Sequence, residues 1–174
     1  MTVSPEKVLG GRVIWITGLS GTGKSTLASA LMSCLPGSVL LDGDDLRAVL
    51  NMSHTGFDRQ GRLELGMTYA RLCRLLAEQG HTVIIATISL FHEVHAWNRV
   101  HLPNYLEVFL HAPEGVLRAR DHKGLYAAAK QGKLTQMAGQ DTEIDFPKSP
   151  HLALDTEKMP KEDCVAAVLA QLNA

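Results

Sequence analysis

Short apolar runs rich in β-branched residues alternate along the chain with longer stretches in which apolar positions recur every three to four residues. Residues 13–17, 39–41, 82–88 and 106–110 each read as a buried strand, with 152–154 a fifth candidate. Residues 25–35 carry no Gly or Pro until Pro36-Gly37 stops them, and 60–79 keep a helical period until Gly80; both are expected to be helices. Residues 161–172 place Val165, Val168, Leu169 and Leu172 on one face, as a closing helix packed on a sheet would. Strands alternating with helices predict an α/β fold with a parallel sheet of about five strands and helices on both faces. One stretch departs from the pattern. Residues 118–133 carry Arg118, Arg120, Lys123, Lys130 and Lys133 but few bulky apolar residues besides Leu125 and Tyr126, and read as a basic flap or a solvated, charged helix.

Length and charge narrow the picture. A chain of 174 residues is the size of one domain with one hydrophobic core. Lys and Arg number 17 against 18 Asp and Glu, a formal net charge of −1, so no global field favours nucleic acid or an anionic membrane. Cys34, Cys73 and Cys164 are far apart and form no CxxC pair, which argues against a disulfide framework or a zinc site. Residues 1–11 lack a signal-peptide pattern, and no apolar run reaches the ~18 residues of a membrane span, so a cytoplasmic protein is expected. The eight histidines are scattered; His92 and His95, the one close pair on an expected helix, read as structural or surface residues.

The strongest chemical signal is Gly18-Leu19-Ser20-Gly21-Thr22-Gly23-Lys24-Ser25, a GxxxxGK[ST] match between the first strand and the first helix. Its glycines let backbone N–H groups turn inward around phosphate oxygens, the helix N-terminus adds partial positive charge, Lys24 reaches the outer phosphates and Ser25 can ligate Mg²⁺. The second strand runs into Asp42-Gly43-Asp44-Asp45, followed by Arg47. In a parallel sheet the carboxyl ends of neighbouring strands open onto one crevice, so these carboxylates are expected beside the phosphates, one as proton acceptor and one supporting hydrated Mg²⁺. Taken alone, the same residues are a turn rich in Asp and Gly. The third strand ends Ala86-Thr87-Ile88-Ser89 without an acid, and no NKxD sequence reads guanine, which argues against a motor or a switch GTPase.

At this point the chain resembles the adenylylsulfate (APS) kinase family, whose members use ATP to phosphorylate the 3′-hydroxyl of adenosine 5′-phosphosulfate to give PAPS. The resemblance is nearly end to end. It rests on the phosphate loop through Thr26, on Leu41-Asp42-Gly43-Asp44 with Arg47, and on Gly56-Phe57 with Arg62. It continues through Ile88-Ser89 with Phe91, Arg120-Asp121, Lys123-Gly124-Leu125-Tyr126 and Leu154-Asp155-Thr156. The resemblance implies one P-loop kinase domain over residues 1–174, a mobile lid over about 118–137, and a homodimer. It implies Asp44, Lys24 and Ser89 as the catalytic candidates, with Asp44 the base. Gly18, Ser20, Gly21, Thr22, Gly23, Lys24, Ser25 and Thr26 would hold ATP, with Arg120 near its base, and Ser25 and Asp42 would serve the Mg²⁺. Arg47, Phe57, Arg62, Ile88 and Lys123 would form the acceptor side. Ser89 matches a serine considered as a phosphoryl carrier; in-line transfer requires no covalent intermediate, so a positioning role is expected. By themselves, Phe57 is also what a core aromatic looks like and Arg62 what half of a surface ion pair looks like.

Departures from the family pattern fall on the acceptor half. The family usually has Asn at Leu65, an Arg pair at Met67 and Thr68, Pro at Leu90, Arg at His92 and His95, and Pro-Tyr-Glu at Glu143-Ile144-Asp145. Arg is the preferred bidentate partner of a fixed anion, and a neutral His does not replace its charge. Trp97-Asn98-Arg99 and Leu102-Pro103-Asn104-Tyr105 resemble instead a capsule-associated offshoot, for which the acceptor would be a cytidine diphosphate conjugate such as its phosphoramidate. Three functions stay open: an adenylylsulfate kinase, a kinase of another nucleotide conjugate, and a non-catalytic nucleotide-binding regulator.

Overall fold

Five parallel strands run in the order β2-β3-β1-β4-β5 in a computed structural model that describes residues 10–50, 56–121 and 123–173. The strands are β1 (Arg12–Thr17), β2 (Val39–Asp42), β3 (Thr82–Thr87), β4 (Tyr105–His111) and β5 (Leu152–Asp155). The sheet expected from the hydrophobic pattern is present, each strand lying within a residue of its predicted bounds. The segment before residue 10, which bears on the absence of a signal peptide, lies outside the described residues.

β1 sits mid-sheet, with β3 on one side and β4 on the other. Its side chains from Val13 to Thr17 are fully buried, which explains why the strand reads as an unbroken apolar run rather than an alternating one. Val13 and Trp15 pack with Val83 and Ile85 against α3 (Arg59–Glu78) and α4 (His92–His101). Ile14 and Ile16 face the other way, packing with Ile84 and Val108 against α1 (Lys24–Cys34) and α7 (Lys161–Leu172). Two cores thus lie on the two faces of one sheet, and each fully buried branched side chain contributes about 1.5–3 kcal/mol. Cys73 and Cys164 are buried in these cores, one in each, and Cys34 is exposed; all three are free thiols.

Two corrections concern local structure. The acidic run after β2 is not a turn: Asp42 caps a helix, α2 (Gly43–Val49), by accepting from the Asp44 N–H at 2.9 Å. The basic flap is not one solvated helix either. It spans the end of α5 (Glu114–Ala119) and all of α6 (Leu125–Lys130). Leu117 and Tyr126 join Met137 in a small third core with Leu19 of the phosphate loop. Among the described residues no helix is long and apolar enough to cross a membrane.

Candidate active site

Because β1 connects leftward to β2 and β3 connects rightward to β4, a crevice opens between their carboxyl ends, where the loops diverge. A cavity of about 460 Å³ lies there. The phosphate loop forms its floor. Gly18 has φ 151°, and a Cβ on it would stand 2.3 Å from the Leu110 carbonyl oxygen, so only glycine lets the loop leave β1 here. Thr22, almost fully buried, donates from Oγ1 to the Leu19 carbonyl at 2.9 Å and braces the loop from beneath. Lys24 Nζ donates to the same carbonyl at 2.8 Å. Burial and the nearby Lys123 ammonium push the Lys24 ammonium down to about 8, against the opposing pull of Asp44 and Asp42.

Carboxylates and phosphate loop meet at one edge of the cavity. Ser25 donates from Oγ to Asp42 Oδ2 at 2.6 Å, while the other Asp42 oxygen caps α2. Asp44, one residue into α2, is exposed to the cavity and pairs with Lys123. Both partners are more than half exposed, so this pair contributes at most about 1 kcal/mol and exchanges readily. Asp45 is exposed and does not line the cavity.

Another part of the lining is aromatic and basic. Phe57 is 45% exposed, which removes it from the core. The guanidinium carbon of Arg47 lies 4.3 Å from its ring centroid and that of Arg62 lies 5.3 Å away. Arg62 also donates to the carbonyls of Phe57 at 2.6 Å and Gln136 at 2.7 Å, tying α3 to the segment after α6 rather than forming a surface ion pair. Ile88 and Ser89 complete the wall from the end of β3, with Ser89 Oγ 2.8 Å from Thr87 Oγ1.

The structure therefore gathers fourteen residues singled out from the sequence around one cavity: Ser20, Gly21, Gly23, Lys24, Ser25, Thr26, Asp42, Asp44, Arg47, Phe57, Arg62, Ile88, Ser89 and Lys123. Gly18 and Thr22, also in the loop, do not line the cavity. Arg120 stands apart, its guanidinium donating to Thr156 Oγ1 at 3.1 Å and to the Thr156 carbonyl at 2.8 Å. Tyr69 was missed. It lines the cavity and donates to the Gly43 carbonyl at 2.7 Å, anchoring the start of the helix that carries Asp44, and burial pushes its hydroxyl up to about 12. In the sequence it is an aromatic at a core position of α3, with nothing to separate it from packing. Gln136 and Met137, also on the wall, had no motif to mark them.

Lys24 gives one expected pH effect. The ammonium is the form that binds phosphate, so MgATP affinity should hold up to about pH 8 and fall as pH rises beyond it, with proton uptake on binding. Calorimetric titration from pH 7 to 9.5 reads this directly; an affinity flat across that range would mean that Lys24 does not titrate there.

A phosphate loop on a five-stranded parallel sheet, facing a carboxylate and a base-sized aromatic wall, defines a P-loop phosphotransferase. The chain belongs to the adenylylsulphate kinase family, whose model matches residues 10–155. It is 40% identical over 167 residues to the adenylyl-sulfate kinase of Paraburkholderia xenovorans, covering 93% of each chain. It is 35% identical over 164 residues to the cytidine diphosphoramidate kinase of Campylobacter jejuni, covering 92% of this chain and 95% of that one. The solved structure of the Mycobacterium tuberculosis APS kinase CysC in complex with AMPPNP and APS has a TM-score of 0.87 at 34% identity, covering 94% of this chain and 98% of that one.

Proposed function

We propose that this kinase transfers the γ-phosphoryl group of MgATP to the 3′-hydroxyl of a nucleoside 5′-conjugate, with adenosine 5′-phosphosulfate as acceptor. The observation that carries this reading is the convergence, in one cavity, of Lys24, Asp44 and the Phe57 ring flanked by Arg47 and Arg62. Lys24 and the loop N–H groups hold the β- and γ-phosphates. Phe57 offers a stacking face to the acceptor base, and the two arginines face its charged 5′ group. Asp44 accepts the proton of the 3′-hydroxyl as its oxygen bonds to the γ-phosphorus and the bond to the β-phosphate oxygen breaks, leaving ADP.

Mg²⁺ fits the residues present. Among the described residues no group of three or more His, Cys, Asp or Glu side chains forms a metal cage, but Ser25 Oγ and Asp42 Oδ2, 2.6 Å apart, offer hard oxygens beside the phosphate loop. Mg²⁺ is commonly held by one or two protein oxygens plus substrate phosphates and waters. Bound there, it would neutralise charge on the transferring phosphoryl group.

Residues 118–137 serve as the lid, whose Tyr126 and Met137 pack with Leu117 of α5 and Leu19 of the phosphate loop. Lys123 would leave Asp44 for the transferring phosphate when both substrates are bound. Lys123→Ala is expected to lower kcat/KM for the acceptor about tenfold to hundredfold, with MgATP affinity essentially unchanged. An equal loss of MgATP affinity would place Lys123 on the donor side.

A second acceptor, cytidine diphosphate phosphoramidate, is favoured by the lost charge on the acceptor half. His95, where the family usually has Arg, is 4% exposed and burial pushes its imidazole down to about 4, so it is neutral; Leu65 lines the wall where the family usually has Asn. ADP release with adenylylsulfate, cytidine diphosphate phosphoramidate and plain nucleotides decides. Preference for adenylylsulfate by more than about 100-fold, about 2.7 kcal/mol of transition-state discrimination, supports the first reading, and the reverse preference the second.

A further inference from the structure

The end of β3 holds backbone that is costly in isolation. Ser89 has φ 28°, a left-handed value unusual outside glycine, and such a conformation persists where its surroundings over-determine it. Four contacts do so. Thr17 Oγ1 donates to the Ile88 carbonyl. Thr87 Oγ1 lies 2.8 Å from Ser89 Oγ. Gly66 brings α3 so near that a Cβ there would be 3.1 Å from Ser89 Oγ. His95 Nε2 lies 3.1 Å from the Ser89 carbonyl oxygen.

His95 differs from the other three in what stands behind it. It projects from the first turns of α4 into the protein, and its Nδ1 is 3.7 Å from Oε1 of Glu107 on β4. Glu107 is fully buried, and its second carboxylate oxygen pairs with Arg99, one turn further along α4. Arg99 also donates to the Ser149 carbonyl at 2.8 Å. Burial pushes the Glu107 carboxyl up, and pairing with Arg99 offsets this only in part. Arg99 thereby ties helix α4 to strand β4 and to the segment before β5, next to the His95 ring. Glu107 is buried but Arg99 is open to solvent, so the pair adds little stability; it holds α4 against β4. A neutral imidazole with its proton on Nε2 donates to Ser89, and it is the tautomer the carbonyl contact requires.

We propose that His95 is a positioning residue for the acceptor: its Nε2–H holds the Ser89 carbonyl, and with it the Ile88–Ser89 wall of the cavity, in the strained form that the acceptor meets. This rests on the proposed kinase reading, because it assigns that wall to the acceptor. It also supplies a role for a residue that stands where the family usually has Arg: support of the wall by a hydrogen bond rather than charge.

His95→Leu and His95→Gln test it, assayed with whichever of adenylylsulfate and cytidine diphosphate phosphoramidate the wild-type enzyme turns over. The Leu variant has no donor and is expected to raise the acceptor KM about tenfold, from one lost hydrogen bond to a buried carbonyl, with the MgATP KM unchanged. The Gln variant, whose amide can donate, is expected to recover most of that loss. An acceptor KM unmoved in the Leu variant, or a Gln variant as impaired as Leu, would overturn the proposal. A wild-type enzyme that turns over neither acceptor would instead defeat the kinase reading. Imidazole ¹⁵N spectra of the wild-type protein at pH 7 give a readout free of folding defects and of activity. The Nε2–H tautomer is expected for His95, and a neutral ring protonated on Nδ1 would refute the role.

Discussion

Asp44→Asn is expected to lower kcat by about 10²–10⁴-fold, the usual loss when a general base is removed. The substitution keeps the size of the side chain and leaves intact the Asp44 N–H bond to Asp42 that starts α2, so the helix and the Ser25–Asp42 contact should survive. MgATP affinity is therefore expected to change little. Asn cannot accept the proton of an attacking hydroxyl and remain a stable neutral amide, so the loss should appear in turnover rather than in KM. Single-turnover kinetics with saturating MgATP and the acceptor that wild type uses separate the two. An unchanged kcat would remove Asp44 as the base and shift attention to Asp42, the other carboxylate lining the cavity among the described residues.

Lys24→Met should have the second largest effect, about 10²–10³-fold in kcat/KM, through loss of one preorganised cation at the transferring phosphoryl group. Met keeps most of the length and apolar contact of the lysine stem. In this variant the decline in MgATP affinity above about pH 8 should also vanish, because the titrating group is gone. A variant that retained wild-type kcat/KM, or one whose affinity still fell with the same pH dependence, would show that another group carries the phosphate contact.

How far the sequence reached is set by the kind of signal each part carries. β1 and β3 were readable because strands covered on both faces are apolar on consecutive positions, Val13–Ile16 in one and Val83–Ala86 in the other, and α3 because Gly80 follows it just beyond its end. The phosphate loop was readable because its chemistry needs glycine, lysine and serine at fixed spacing in one local segment. α2 was not, because it has only seven residues and the Asp and Gly at its start are equally the residues of a turn. α6 was hidden by its charged neighbours, since the apolar side chains that seat it, Leu117 and Met137, lie outside it in the chain. Tyr69 and His95 were beyond reach for one shared reason: each acts through a backbone carbonyl brought to it by the fold, Gly43 for one and Ser89 for the other. A carbonyl has no sequence signature.

The central claim is transfer of phosphate from ATP to a nucleotide 3′-hydroxyl, and the product tests it most directly. Enzyme, MgATP and either adenylylsulfate or cytidine diphosphate phosphoramidate would be incubated and the mixture read by ³¹P NMR. The expected result is a new 3′-phosphomonoester formed in equal amount with ADP, absent with Asp44→Asn on the same timescale. Bound MgATP with no new phosphomonoester from either acceptor would contradict it and favour a non-catalytic nucleotide-binding regulator.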